Sequence, residues 1–463
     1  MSILKKENNT GLKIIIVGCG KVGVTLIGQL ISEGHDISVI DTDASRIQEI
    51  TNLYDVMGVI GNGASFTVQK DAGIDDADLL IAITGSDELN MLCCTVAKRV
   101  GDCAAIARVR TPDYSQEVGY LREKLGLALI INPELETSVE AANILSMPSA
   151  LEVDSFARGQ AQLIKFKIDE SSILHNKAIM DLDNKHTESI LISAVQRNGE
   201  VIIPSGTFRM QAGDIISVLG TRRSVRKFMD YIGIRSHAVR NAMIVGGGRA
   251  AYYLALQLIN MGIEVKIIER SQARCEELSI LLPKAIIIHA DGSDEEILKE
   301  EGIFNTDAFI PLTGIDEQNI MLTLYAKKVS KAKIVTKITR IGFSDVISGL
   351  DLDSVIYPNK ITAEAIIAYV RAMRNSKGYS NIETLYHLFD HKAEALEFRI
   401  GESNKATDTP LMDLKLKKNL LVTCIIRNGQ IIIPRGHDVI RKDDSVVVIT
   451  TDTGFKDITD ILA

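Results

Sequence analysis

The chain has 463 residues, 46% of them apolar and 24% charged, with 52 basic against 60 acidic residues and a formal net charge of −8. At ~100–200 residues per domain, this length predicts three or four domains, and the composition excludes disordered, collagen-like and low-complexity chains. The apolar runs are strand-sized, far short of the ~20 residues of a membrane-spanning helix. The acidic balance disfavours nucleic acid or an anionic lipid surface as a partner.

The N-terminus, M-S-I-L-K-K-E-N-N-T, has no apolar segment followed by a cleavage site, so the sequence reads as that of an intracellular protein without a signal peptide. In chain order, the apolar pattern predicts strand 12–17, helix 21–33, strand 37–40, helix 44–53, strand 56–60, helix 66–72, strand 78–83, helix 88–100 and strand 104–109. Strands alternating with helices make a parallel, doubly wound α/β sheet with right-handed crossovers. Glu134–Met147 has the spacing of a linking helix stopped by Pro148, and the residues after it read as a small antiparallel module with one or two helices.

The same succession then recurs. Leu12–Val17 leads into Gly18-Cys-Gly-Lys-Val-Gly23, and Ala242–Val245 into Gly246-Gly-Gly-Arg-Ala-Ala251. Asp41 closes the next strand of the first copy and Glu269 that of the second. Gly61-Asn-Gly-Ala-Ser65 is answered by Ala290-Asp-Gly-Ser293, and Thr84-Gly-Ser-Asp-Glu-Leu-Asn90 by Thr313-Gly-Ile-Asp-Glu-Gln-Asn319. The small module is also written twice, as R-N-G, I-I-P-S-G and A-G-D in 192–220 and as R-N-G, I-I-P-R-G and K-D-D in 425–450. Asn198-Gly199 and Asn428-Gly429 predict tight hairpins, and Pro204 and Pro434 demote the strand ends before them to edges or exits. A second linking helix is expected at about 362–374, followed by a polar junction at 375–381. The expected organisation is a tandem repeat: doubly wound domains at 11–133 and 238–360, linking segments at 134–150 and 361–380, and small α+β modules at 151–235 and 381–463.

A G-x-G-x-x-G that follows a strand, opens a helix and precedes an acidic residue about 20 positions on is the dinucleotide fingerprint. Gly18 permits the tight turn, Gly20 lets phosphates approach the backbone, and Gly23 lets the helix pack on the sheet. The exposed N–H groups and the positive helix end attract phosphate. Asp41 suits ribose hydroxyls and repels a 2′-phosphate, favouring NAD or an adenine nucleotide over NADP. Thr84 and Gly85 fall at the carboxyl edge of the fourth strand, where ligands of such sheets sit; Thr84 alternatively caps the next helix. Arg108 is placed to reach phosphate or to make a strand-end ion pair, and Asn62 to face adenine or make a turn. In the second copy Ala251 replaces the last glycine, Glu269 replaces Asp41, and Arg249 replaces Lys21 with a guanidinium able to bind oxygens bidentately.

Six scattered cysteines without a C-x-x-C pair and eight histidines without ligand spacing predict no metal centre. No catalytic set is expected either: there is no nucleophile elbow, no G-K-[ST] and no repeated acid/base. A nucleotide site without chemistry reads as a sensor. The alternative is an NAD-dependent oxidoreductase with duplicated domains.

The ordered set G-C-G-K-V-G, V-I-D-T-D, D-D-A-D-L-L-I-A-I-T-G-S-D-E-L-N-M, I-A-R-V-R-T-P-D-Y and I-N-P-E-L-E resembles the TrkA family, cytosolic regulatory subunits of bacterial Trk potassium uptake built from two tandem RCK (TrkA-N plus TrkA-C) units. The resemblance runs from Leu12 to the C-terminus. It implies two Rossmann-like sheets, each followed by a TrkA-C module, that bind NAD(H) and also ATP or ADP without catalysing a reaction. It further implies homo-oligomeric rings, typically tetramers, docked on a TrkH- or TrkG-type potassium-translocating subunit at the inner face of the membrane. The resemblance carries a first site onto Gly18, Cys19, Gly20, Lys21, Val22, Asp41, Thr84, Gly85 and Arg108, and a second onto Gly246, Gly247, Gly248, Arg249, Ala250 and Glu269. Where the first half has Arg108 and Glu134, the second has Lys337 and, after Tyr357-Pro-Asn, Lys360, so equal ligands in both halves are not expected. Glu134 is the counterpart of a carboxylate that binds a divalent cation in some relatives.

Overall fold

The computed structural model describes residues 11–463 except 113, 115–116, 148–149, 157–159, 234–238, 340–346, 348, 351, 377–381, 390–391, 453 and 456. Its first sheet comprises β1 (Lys13–Val17), β2 (Asp36–Asp41), β3 (Met57–Ile60), β4 (Leu79–Ala82), β5 (Ala104–Arg108) and β6 (Leu129–Ile131), in the order β3-β2-β1-β4-β5-β6. All five pairings are parallel. Ile14 to Val17 and Leu79 to Ala82 are buried throughout, as unbroken apolar runs are when helices cover both faces of a sheet. The strand order reverses between β1 and β4, so the carboxyl ends of these strands open the crevice of a doubly wound sheet. Five strands are legible in the sequence; β6 is not, because three residues carry no period, and it follows the helix Val118–Leu125 through Gly126 at φ 65. Pro148, expected to stop the linking helix, lies outside the described residues.

The first small sheet contains β7 (Glu152–Phe156), β8 (Ala161–Lys167), β9 (Ile190–Arg197), β10 (Glu200–Ile202) and β11 (Ile215–Gly220), antiparallel in the order β10-β9-β11-β8-β7. A second parallel sheet follows, with β12 (Asn241–Val245), β13 (Glu264–Glu269), β14 (Ile286–His289), β15 (Ala308–Pro311), β16 (Lys333–Lys337) and β17 (Ser354–Ile356), ordered β14-β13-β12-β15-β16-β17. The second small sheet has β18 (Ile382–Leu388), β19 (Ala393–Arg399), β20 (Leu420–Arg427), β21 (Gln430–Ile432) and β22 (Ser445–Thr450), ordered β18-β19-β22-β20-β21. Read in sequence, the two copies have identical topology. Asn198, Gly199, Asn428 and Gly429 take φ of 52, 82, 50 and 76 at the hairpins, and β10 and β21 are edge strands as the prolines after them require.

The repeat extends to irregular features. Ser193 in β9 and Thr423 in β20 interrupt the ladders to β11 and β22, and their buried hydroxyls donate to the carbonyls of Ser217 (3.1 Å) and Val447 (2.9 Å). Arg197 and Arg427 each grip a buried aspartate, Asp214 and Asp444, through two guanidinium nitrogens at 2.7–2.9 Å. The copies part at their ends: the first module has the helix Arg222–Tyr231, whereas the second closes on the 3-10 turn Ile458–Ile461.

Two linking helices, Pro133–Ser146 and Pro358–Ser376, join the halves. Proline at a helix start loses no hydrogen bond, since the first N–H groups have no partner within the helix. The second helix begins four residues earlier than its apolar spacing suggested. Each helix packs on the other half's parallel sheet. Ala141, Ala142, Ile144 and Leu145 enter the core of the second sheet, while Ala363, Ile366, Ile367 and Val370 enter that of the first. Polar ties fix the exchange: Arg371 pairs with Glu33, Asn132 Nδ2 donates to Tyr253 Oη at 3.0 Å, and Lys333 Nζ donates to the Ala150 carbonyl at 2.7 Å. The small sheets meet face to face through Phe156, Leu163 and Leu219 against Ala395, Cys424 and Val447, with Phe156 edge-on to Tyr386 at 5.0 Å between ring centres. Among the described residues no helix is long and apolar enough to cross a membrane.

Between the linking helices and the small sheets lies a cavity of about 640 Å³ bearing Glu136, Glu140, Glu152, Asp154 and Glu364 against Lys165 and Lys360. Burial opposes the charge on Glu152, but Lys165 overcomes it and holds that carboxyl below its usual range. Lys360 lies 3.9 Å from Glu364, a looser pairing. Burial, then neighbouring negative charge, pushes Glu136 and Asp154 up to about 8; burial also raises Glu364, to about 7, though Lys360 opposes it.

Two outcomes are expected. Ile366→Ala should lower the unfolding free energy by about 2–5 kcal/mol, the usual cost of such a cavity. Because this helix belongs to the second half, amide hydrogen exchange should quicken in β1 and β4 of the first. Between about pH 5 and 8 the unfolded chain has released protons that Glu136 and Asp154 still hold when folded, so their contribution to stability falls as pH rises. The melting temperature should decline over that window less steeply in Glu136→Gln than in the parent, as read by calorimetry.

Candidate functional site

At the end of β1 the chain turns at Gly18, whose φ is 104 and where a Cβ would lie 3.0 Å from the backbone of Ile83. Neither condition admits a side chain. Gly23 packs so closely that a Cβ would stand 2.3 Å from the Gly18 carbonyl oxygen, whereas around Gly20 nothing lies within 4 Å. The loop is therefore tight on its sheet side and open on the other. The helix Lys21–Ser32 starts at Gly20 without a side-chain cap, leaving its first N–H groups directed at the opening with the positive end of the helix dipole.

Asp41, at the end of β2, accepts hydrogen bonds from the Cys19 N–H (2.7 Å) and the Asp43 N–H (3.0 Å). It braces the glycine loop while lining the crevice. Cys19 is buried; desolvation, then the Asp41 charge, pushes its thiol up to about 12, so it is a neutral packing group. Asn62 makes a turn, its Oδ1 accepting from Ala64 N–H at 3.0 Å, and lines the same opening.

Across the crevice, Thr84 is not the cap of the following helix: Ser86 is, with its hydroxyl accepting from Leu89 N–H at 3.1 Å. The Thr84 N–H and hydroxyl both donate to Asn90 Oδ1 at 2.7 Å, and Asn90 Nδ2 donates to the Arg108 carbonyl at 2.9 Å. Fully buried Asn90 thus ties the ends of β4 and β5 together. Arg108 donates through Nη2 to the Thr84 carbonyl, makes no ion pair among the described residues, and has a buried Nε without a hydrogen-bond partner. Burial, with Arg110 alongside, lowers the proton affinity of its guanidinium. A desolvated cation facing an open crevice is a strong receptor for an anion.

These groups enclose a cavity of about 610 Å³ lined by Gly18, Gly20, Lys21, Val22, Gly23, Asp41, Asn62, Thr84, Gly85 and Arg108, and also by Arg46 and Asn359. Cys19 lines the adjoining opening with Lys21, Arg46 and Asn359. Sequence reasoning missed three participants. Asn90 carried a signal, since the motif repeats it as Asn319. Arg46 carried none. Asn359 comes from the other half, which no local pattern reveals.

The second crevice repeats the frame. Gly246 takes φ 99, no atom lies within 4 Å of a Cβ at Gly248, and Glu269 accepts from Gly247 N–H (2.6 Å) and Ser271 N–H (2.7 Å) as Asp41 does from its loop. Arg249 and Ala250 open the helix Arg249–Asn260 where Lys21 and Val22 open theirs. Asn319 bonds Thr313 and the Lys337 carbonyl, and Lys337 Nζ donates to the Leu312 carbonyl at 3.2 Å. Arg274, the equivalent of Arg46, is committed differently: its Nε donates to the Gly247 carbonyl and its Nη1 pairs with Glu277, both at 2.7 Å. Because the linking helices begin at Pro133 and Pro358, the position of Glu134 is matched by Asn359 and not by Lys360.

Among the described residues no group of three or more histidine, cysteine, aspartate or glutamate side chains is arranged to hold a metal ion.

Comparison with known proteins agrees with this architecture. The TrkA-N domain model matches residues 14–133 and 242–358, and the TrkA-C domain model matches 163–233 and 395–463. The Trk system potassium uptake protein TrkA of Haemophilus influenzae is 31% identical over 447 residues, covering 95% of this chain and 96% of its own. That of Vibrio alginolyticus is 32% identical over 442 residues, covering 94% and 95%. Among solved structures, the GsuK RCK domain superposes with a TM-score of 0.63 at 17% identity, covering 96% of this chain and 93% of that one, a likeness of fold. Both parallel sheets are thus Rossmann-like TrkA-N domains, each followed by a TrkA-C module, and the chain belongs to the TrkA family.

Proposed function

We propose that this protein is the nucleotide-sensing regulatory subunit of a potassium uptake system and catalyses no reaction. The observation that carries the reading is that the glycine-loop crevice of the first half is closed by Asn359, at the start of the linking helix from the second half. A ligand there touches both halves, so its binding energy depends on the angle between them. Only such a difference in affinity between two shapes can shift a conformational equilibrium.

The ligand is NAD(H), with ATP or ADP as further occupants. The uncapped helix end, Lys21 and Arg108 receive the phosphates, and Asp41 receives the ribose hydroxyls. No histidine or tyrosine lines the crevice among the described residues, which supports a site that holds a nucleotide without transferring hydride. The family's relatives are named as potassium uptake proteins, and a GsuK channel of like fold has been solved bound to NAD. On this reading the chain assembles as a homo-oligomeric ring, a tetramer, on the cytoplasmic side of the inner membrane. There it docks on a TrkH- or TrkG-type subunit and passes its change of shape to that gate. Moving a gate from 1:99 to 99:1 takes ~5.5 kcal/mol, which several modest sites in one ring supply together.

Asp41→Arg should weaken NADH binding at least tenfold, ~1.4 kcal/mol, in titrations of the purified chain. Unaltered titration curves would remove the site from its place in the proposal. In cells that lack this chain but keep the membrane subunit, restoring it should restore potassium uptake, and restoring Asp41→Arg should leave uptake unresponsive to the nucleotide. Uptake indifferent to the chain, or steady NADH turnover by the pure protein, would refute the function.

A further inference from the structure

The cavity between the linking helices and the small sheets carries more negative charge than its own side chains neutralise. Two of its carboxylates have a lysine: Glu152 pairs with Lys165, and Glu364 lies 3.9 Å from Lys360. Asp353, also on its wall, is held by Lys333 at 2.7 Å. Among the described residues no ion pair reaches Glu136, Glu140 or Asp154. The Asp154 carboxyl is wholly enclosed by the protein. Its Oδ2, like Oε2 of Glu136, is closed to solvent and has no hydrogen-bond partner. Leaving a buried acceptor unpaired is costly, and more so when it bears charge.

These carboxylates are spread along the cavity instead of gathered at a point. Glu136 and Glu140 stand four residues, about 6 Å, apart on the first linking helix. Glu140 feels the charges of Glu152, Asp154 and Glu364, whereas the charge felt at Glu136 is that of Glu134. The cavity therefore has two negative poles. That spread agrees with the finding that no group of such side chains among the described residues is arranged to hold a metal ion. Val153, Val355, Ile361 and Leu385 supply apolar wall, and Tyr357, Tyr386 and Phe389 supply rings. The Phe389 ring already receives an ammonium, with Lys165 Nζ 4.9 Å from its centre, a cation–π contact.

Separated negative poles with apolar and aromatic wall match a ligand that carries ammonium groups along an alkyl chain. We infer that this cavity is a receptor site for a linear alkyl diamine or polyamine, with one ammonium at Asp154 and Glu140, another at Glu136, and the methylenes against the apolar wall. The wall is built from both linking helices and from strands β7 and β18 of the two small sheets. An occupant touches both halves, so it favours the arrangement of halves that fits it best. The site lies apart from the glycine-loop crevices and does not depend on the nucleotide reading.

The test is calorimetric titration of the full chain with putrescine and with spermidine at about pH 7, in phosphate and in HEPES. Burial, then the Glu152 charge, pushes Asp154 up to about 8, so the empty cavity holds a proton that an incoming ammonium displaces. Saturable binding of one amine per chain is expected, with an apparent enthalpy that differs between the buffers as protons are released. Asp154→Asn and Glu136→Gln should each weaken binding about tenfold or more, the cost of losing one partner of a buried charge pair. Butylamine, with a single ammonium, should bind more weakly than putrescine by a similar factor. Thermal melts verify that the variants are folded. No saturable binding by the parent, or affinity unchanged in the folded variants as attraction to an acidic surface alone would give, overturns the proposal. So does displacement of putrescine by Mg2+ at equal concentration, which assigns the carboxylates to a metal. NADH titrated into the same HEPES samples separates the two readings: NADH binding without amine binding removes this site alone, and amine binding without NADH binding removes the nucleotide site alone.

Discussion

The exchange of linking helices between the halves is the constraint on which the rest depends. Each parallel sheet needs apolar cover on both faces, and part of that cover comes from the other half: Ile366 and Val370 for the first, Ile144 and Leu145 for the second. Neither Rossmann-like domain has a complete core of its own. The consequence reaches the first crevice, because Asn359, in the first turn of the second linking helix, is carried to the mouth of the first sheet. Packing of the core and closure of that crevice are therefore the same arrangement seen at two ends of one helix.

The second contact between halves has a different character. The small sheets press apolar faces together around Phe156, Leu219, Cys424 and Val447, and such burial holds the modules as a unit. Beside it lies the cavity of buried carboxylates around Glu136 and Asp154. Charges placed there lose hydration and gain little in return, so that region is the least comfortable part of the joint, flanked by its firmest.

Much of the fold was legible because its physics is local. Strands of four to six apolar residues, helices with apolar stripes and Asn-Gly hairpins all announce themselves within a few positions, and duplication supplied each signal twice. The frame of the crevice was legible for the same reason: Gly18, Gly20, Gly23 and Asp41 are fixed by sterics and by hydrogen bonds inside one strand-turn-helix unit. What stayed hidden depends on residues distant in sequence. The three-residue β6 exists because β5 offers it a partner, and the second linking helix starts early on Pro358-Asn-Lys, which carries no apolar period. Asn359 and Arg46 look ordinary until the chain is folded, and the match of Glu134 to Asn359 became clear only once both helix starts were located.

Fusing two copies into one polypeptide changes what mutation can do near the axis that relates them. In a pair of separate, identical subunits the same residue must serve at both symmetry-related positions. Tandem linkage lifts that restriction: Glu134 has an amide as its counterpart and basic side chains as its neighbours. Once the halves need no longer match, each can drift toward its own role while still depending on the other to be whole.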